Sequence, residues 1–243
     1  MTLYDELKNF SLVGFREIYK KFIYINCREL LDEIMPGELD DSITGVISYC
    51  YIDRTEGLSF RPIMIAAMKA DTLQVFEYPH QDNTIYVLRL RDDVVKMSEL
   101  HDGNNHMYLY GINPDRYEFF DLSIVDFDME SFSEVKDHID EIYDAGEYVE
   151  ELRSEKYTFL DEYRNNMFPD DVKALLIGKE NGIEQVWVRL TFVTQDKEIF
   201  GELLNEPYRD YGCHEGDLIE IQEVDVKDGK VLVFTGRMAE RKE

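Results

Sequence analysis

The sequence predicts an α+β protein in which a larger antiparallel-sheet domain with flanking helices, residues 1–168, precedes a small β-rich domain, residues 169–243. Runs rich in β-branched and aromatic residues fill the middle of the chain, from Ile43 to Phe127. An acidic helical stretch follows, from Ser131 to Tyr163. Beyond Asn165-Asn166 and Pro169-Asp170-Asp171, which mark a boundary, the pattern turns to strand and turn.

Thr2 reads as an N-cap, with Leu3, Leu7 and Phe10 behind it at helical spacing. The same spacing recurs from Phe15 through Ile18, Tyr19 and Phe22, and again from Arg28 to Met35, where Pro36-Gly37 stops it. Ile43 to Ile52 is the first long strand, and Asp53 to Leu58, with Gly57 inside it, is a turn. Arg61 to Ala67, Leu73 to Tyr78 and Thr84 to Leu90 continue the strands. A short helix at Asp93 to Leu100 and a loop at His101 to Asn105 lead to strands at Met107 to Ile112 and Tyr117 to Phe127. These strands make one antiparallel sheet.

Ser131-Phe132-Ser133-Glu134 has the capping-box pattern, in which Ser and Glu side chains satisfy each other's free N–H groups. Val135, Ile139, Ile142 and Tyr143 then share a helix face, and Gly146 ends or breaks the run. A second helix carries Val149, Leu152, Lys156, Leu160 and Tyr163 on one stripe. A helical turn near Asp171 to Leu175 opens the C-terminal part. Gln185 to Val193 alternates, and Ile199 to Leu204 follows the turn Gln195-Asp196-Lys197. Leu218 to Val224 and Lys230 to Phe234, joined through Asp228-Gly229, finish a meander, and the tail from Arg237 to Glu243 is charged and frayed. Trp187 is expected as a buried anchor beneath a covering layer, with Arg189 placed to meet a carboxylate.

Charge narrows the function. The chain has 26 Lys and Arg against 52 Asp and Glu, a net −26. That surface repels nucleic-acid phosphates and anionic membrane surfaces, so neither is an expected partner. It suits a basic protein partner, and it also serves solubility alone. Residues 131–171 hold 13 acidic and 4 basic residues, which makes either a docking surface or a solvated helix face. The longest apolar run, Ile63 to Met68, is strand-sized and far short of a membrane span. The start Met1-Thr2-Leu3-Tyr4-Asp5-Glu6 lacks a signal-peptide pattern. Cys27, Cys50 and Cys213, odd in number and in no motif, read as reduced thiols of a cytoplasmic protein.

Few residues point to chemistry. No Gly-rich phosphate loop, nucleophile elbow or zinc-ligand spacing occurs, so no cofactor is expected. Asp126 and Asp128 have the Asp-x-Asp spacing that holds Mg²⁺ with hard oxygen ligands in some transferases, and they equally suit a strand end. His101 and His106 flank a turn-forming loop and are a second metal candidate. A catalytic Cys–His pair built on Cys27 or Cys50 needs a tertiary contact, and Cys213-His214 would point to opposite faces of a strand.

In the C-terminal part, Glu184-Gln185-Val186-Trp187-Val188-Arg189 is followed by Phe200-Gly201-Glu202-Leu203-Leu204-Asn205-Glu206-Pro207. Then comes Gly212-Cys213-His214-Glu215-Gly216-Asp217-Leu218-Ile219. Over Val172 to Phe234 this resembles the YegJ-like family of small bacterial domains of unknown function. The family's motif runs acidic-x-x-Trp-Val, Gly-x-Leu-x-Asn-x-Pro, then Gly-Asp before a strand. Its Ile-x-Asp-Trp ending is absent here, and Glu223-Val224-Asp225-Val226 stands nearby without the Trp. The resemblance implies a compact β-rich module and no reaction.

A binding surface is expected on the loop from Asn205 to Gly216, where Tyr208, Arg209, Tyr211 and His214 collect. The sequence therefore reads as a non-catalytic binding protein, one form of which is an acidic immunity or inhibitor-type protein for a basic partner. The alternative is a metal-dependent enzyme using acidic residues, with Asp126, Asp128, His101 and His106 as its first candidates.

Overall fold

A computed structural model describes residues 2–78, 85–92, 99–102, 105–227 and 229–239. It shows a mixed α/β protein of two compact units, Met1–Asp144 and Ala145–Glu243.

The first unit runs β1 (Lys8–Asn9), β2 (Phe22–Asn26), α1 (Arg28–Ile34), β3 (Gly45–Asp53), β4 (Gly57–Met68), β5 (Leu73–Glu77), β6 (Ile85–Leu90), β7 (Glu99–Asp102), β8 (Asn105–Ile112), β9 (Glu118–Asp121) and α2 (Ser133–Ile142). Among the described residues its strands form one nine-stranded sheet in the order β1-β9-β2-β3-β4-β6-β8-β7, with β5 also paired to β4. Both faces of the central strands are buried. Tyr24, Ile47, Tyr49 and Phe120 pack with Ile139 of α2. The alternate residues Ile23, Ile25, Val46, Cys50 and Phe60 are buried as well.

The sheet is mixed, not antiparallel as the sequence suggested, because β6 and β8 pair in parallel. β7 forms an antiparallel hairpin on the outer side of β8. The chain therefore reaches the sheet edge first and returns inside it, so β8 runs in the same direction as β6. Of the helix expected at Asp93 to Leu100, residues 93–98 lie outside the described residues, and Glu99 and Leu100 begin β7.

The N-terminal helical spacing resolves into 3₁₀ turns at Leu3–Glu6, Phe10–Leu12 and Phe15–Glu17, and Phe22 starts a strand. Phe22 through Ile25 are all buried. A run buried on both faces has no period that separates strand from helix. Ser131 does not cap α2. It lies in the 3₁₀ turn Glu130–Phe132, and its N–H and Oγ both donate to the Asp128 carboxylate. By contrast, α1 ends where Pro36-Gly37 stops it, with Gly37 at φ +75.

The second unit contains α3 (Glu147–Arg153), a 3₁₀ segment (Glu155–Tyr163), β10 (Asp171–Gly178), β11 (Gly182–Val193), β12 (Ile199–Leu203), β13 (Leu218–Val226) and β14 (Gly229–Ala239). The five strands follow one another in order around a barrel, which β10 and β14 close in parallel. The division between units falls at Asp144, not at residue 168. Leu152, Tyr157, Leu160 and Tyr163 belong to the same core as Val172, Val188, Leu190, Ile219 and Ile221, so the second acidic helix goes with the barrel. The segment from Asp171 to Leu175 is strand, not a helical turn. Val172, Ala174 and Leu176 are buried while Lys173 and Ile177 are exposed, which is period 2. β14 runs on to Ala239 and includes Arg237, whose guanidinium reaches Glu198 at 2.5 Å and Glu220 at 3.2 Å. Asp228 of the final hairpin and residues 240–243 lie outside the described residues.

Among the described residues no helix is long and apolar enough to cross a membrane.

Candidate functional site

In the first unit, α2 lies over the sheet on tyrosine contacts. The Tyr49 hydroxyl donates to Asp140 at 2.8 Å, and the Tyr51 and Tyr143 rings meet with centroids 4.4 Å apart. Burial and the Asp140 carboxylate push the Tyr49 hydroxyl up from its ordinary value. Beside these contacts a cleft of about 460 Å³ opens, with Tyr51, Arg61 and Val87 from the sheet and Val135, His138, Ile139, Ile142 and Tyr143 from α2.

Arg61 stands on the floor of this cleft. It pairs with Tyr49 across β3 and β4, beside the β-bulge that admits Pro62 into the middle of a sheet. Its side chain is partly buried, and burial holds its pKa below the usual guanidinium value. Among the described residues, the groups that act on it electrostatically are the side chains of Tyr51, Tyr78 and Tyr143, with no carboxylate. Sequence reasoning took Arg61 only as the start of a strand. The available signal was a cation between Phe60 and Pro62, inside an otherwise apolar strand of a strongly acidic chain.

Carboxylates crowd the end of the same unit. Asp126, Asp128, Glu130, Glu134, Asp137, Glu141 and Asp144 are all exposed, and Lys136 is the one Lys or Arg between Asp126 and Asp144. Asp126 and Asp128 both lie exposed in the segment between β9 and α2. Asp128 accepts from Ser131, which lowers its pKa. No group of three or more His, Cys, Asp or Glu that could hold a metal occurs among the described residues. His101 and His106 face each other in the register of β7 and β8, and their side chains lie outside the described residues.

In the second unit, the loop between β12 and β13 is built by short-range polar bonds. The Glu206 carboxylate binds the His214 ring at 2.8 Å and accepts the Glu215 N–H at 2.9 Å. That pairing raises the His214 pKa and lowers that of Glu206. Arg209 and Tyr211 both donate to the Asn181 carbonyl, Tyr211 at 3.3 Å. The loop thus ties one polar group each of His214, Arg209 and Tyr211, while Tyr208, Arg209 and His214 remain exposed, Tyr208 at 95%.

Trp187 is half-buried, not the buried anchor expected. Val186, Val188 and Leu190 fill the barrel and put Trp187 outside, where Lys173 Nζ sits 5.4 Å from its ring. Arg189 does meet a carboxylate, Asp171, through two bonds of 2.7 and 2.9 Å. Trp187 emission is expected between that of buried and free indole, with partial access to acrylamide. Complete shielding would contradict the half-buried position.

The cysteines are free and buried. Burial pushes the Cys27 thiol up to about 12, that of Cys213 up to about 11, and that of Cys50 well above its ordinary value. A nucleophilic cysteine needs the opposite shift. Cys213 is buried and His214 exposed, so the adjacent pair diverges.

No family model matches the chain, and comparison with curated proteins and solved structures gives no match either.

Proposed function

We propose that this chain is a non-catalytic binding protein that takes a basic protein partner, of the immunity or inhibitor type, on the carboxylate-rich surface of its first unit. The observation that carries this reading is the run of seven exposed carboxylates from Asp126 to Asp144, a stretch of sequence in which Lys136 is the one Lys or Arg. Solvated charges of one sign add little to stability and repel one another, but they attract an oppositely charged surface over about a Debye length and speed its docking.

The test is capture by the immobilised protein at low and high salt, beside a variant with Glu130→Lys, Asp137→Lys and Glu141→Lys. A basic partner should be held at low salt, released at high salt and lost by the variant. Capture of no basic partner, or capture indifferent to both salt and charge reversal, would remove the reading. All three positions are exposed, so the variant is expected to fold within about 0.5 kcal/mol of the parent.

We read the second unit as a YegJ-like module in which the motif builds the barrel. Three motif positions support this. At Gly201 a Cβ would lie 2.5 Å from Val188 and 2.7 Å from the Arg189 carbonyl oxygen. The Asn205 side-chain oxygen accepts the backbone N–H of Trp187 at 2.9 Å. Asp217 accepts the His214 N–H at 2.7 Å.

A further inference from the structure

We infer that the cleft between α2 and the sheet of the first unit binds the carboxylate of an apolar organic acid, with the Arg61 guanidinium as its anchor. The three buried arginines among the described residues each have an acid: Arg89 has Asp53, Arg153 has Asp170 and Arg164 has Asp161. Arg89 shows what the sheet does with a cation that serves structure only, since Ser59 and Asp53 close around it at 3.0 and 3.5 Å. Among the described residues Arg61, in an open cleft, meets tyrosines and no acid, in a chain with twice as many acids as cations. A guanidinium withdrawn from water gains most from a planar anion that accepts two parallel N–H bonds.

The rest of the cleft fixes the class of acid. Val87, Val135, Ile139 and Ile142 supply apolar wall, and Tyr51 and Tyr143 supply aromatic wall. Its volume of about 460 Å³ is within the range of small-molecule sites. A phosphate dianion is a poor match, because Arg61 is the one Lys or Arg lining the cleft and Glu134 stands at its rim. A second cleft in this unit, about 600 Å³, is lined by three lysines, but Lys21 is paired to Asp121 at 3.0 Å, Lys136 to Asp140 at 2.6 Å, and Lys20 lies 5.3 Å from the Tyr19 ring. A monocarboxylate with an aliphatic or aryl tail is the ligand that uses every wall of the Arg61 cleft.

Calorimetric titration with octanoate, 1-octanol and octylamine tests this on the intact chain, together with a short peptide ending in leucine as its free acid and as its amide. Octanoate should bind at least about tenfold more tightly than octanol, and octylamine should not bind. Arg61→Met should cost at least about tenfold in octanoate affinity and leave octanol unchanged. Arg61→Lys, which keeps the charge and loses the fork, should fall between them. It serves as the readout if the Met variant does not fold. Binding of the peptide acid but not of octanoate would support the carboxylate anchor and assign it to a protein C-terminus. Binding of octanoate would assign it to a free acid. Equal binding of octanoate and octanol, undiminished octanoate binding by both Arg61 variants, or no binding of any acid would overturn the inference.

Discussion

Replacing Arg153 by Met is expected to destabilise the second unit by about 3–5 kcal/mol. Arg153 and Asp170 are 2% and 3% exposed at their side chains, and two bonds of 2.9 and 2.7 Å join them. A third bond, from Arg153 to Glu150 at 2.6 Å, holds the guanidinium from its own helix. Removing the cation leaves the Asp170 carboxylate buried without its main counter-charge, and that orphaned charge carries most of the cost. The double variant Arg153→Met with Asp170→Leu is therefore expected to recover much of the loss. Urea unfolding followed by Trp187, the chain's one tryptophan, reports on this unit directly. A single variant within about 1 kcal/mol of the parent would mean that the pair is solvated and contributes as a surface bridge does.

Gly45→Ala is expected to cost the first unit at least about 3 kcal/mol, the upper end of what overpacking usually costs. Gly45 lies at the start of β3, opposite Asn26 on one side and Ala66 on the other. A Cβ built there would stand 1.9 Å from the Ile25 carbonyl oxygen and 2.9 Å from its carbon. Those atoms are backbone in the neighbouring strand, so they yield only if the sheet itself moves. Gly14→Ala is the control, because a Cβ there meets nothing within 4 Å. Thermal unfolding followed by near-ultraviolet circular dichroism of the tyrosines should show a large drop in midpoint for the first variant and almost none for the second. Equal midpoints would refute the close approach at Gly45.

Most strands could be read from the sequence where one face was polar or where turn chemistry bounded them. Asp53 to Gly57 marks the β3–β4 turn, and the alternation of Val186, Val188 and Leu190 marks β11. Where both faces are buried, as in Phe22 to Ile25, alternation vanishes, and Phe22 reads as the end of a helical run. β10 was lost for another reason. Its first residues, Asp171 to Leu175, read as a helical turn until Asp171 is seen accepting both bonds from Arg189. The candidate loop at Asn205 to Gly216 is located by composition, but composition does not show that Glu206 and Asn181 hold its His214, Arg209 and Tyr211 in place. Arg61 was invisible for the converse reason. Its significance is a missing partner, and pairing is a property of three dimensions.

The position of β9 has a consequence for biogenesis. It enters the sheet between β1 and β2, pairing Phe119 with both Lys8 and Ile25. During synthesis at ~5–20 residues per second, one edge of Phe22-Ile23-Tyr24-Ile25 stays open on the order of ten seconds until residue 121 has emerged. The barrel strands, by contrast, each pair with the strand made just before them, and only its closure brings distant residues together. The N-terminal apolar strand is thus the segment of the nascent chain that needs shielding from other chains, and the unit that is translated first is the one whose sheet is slow to close.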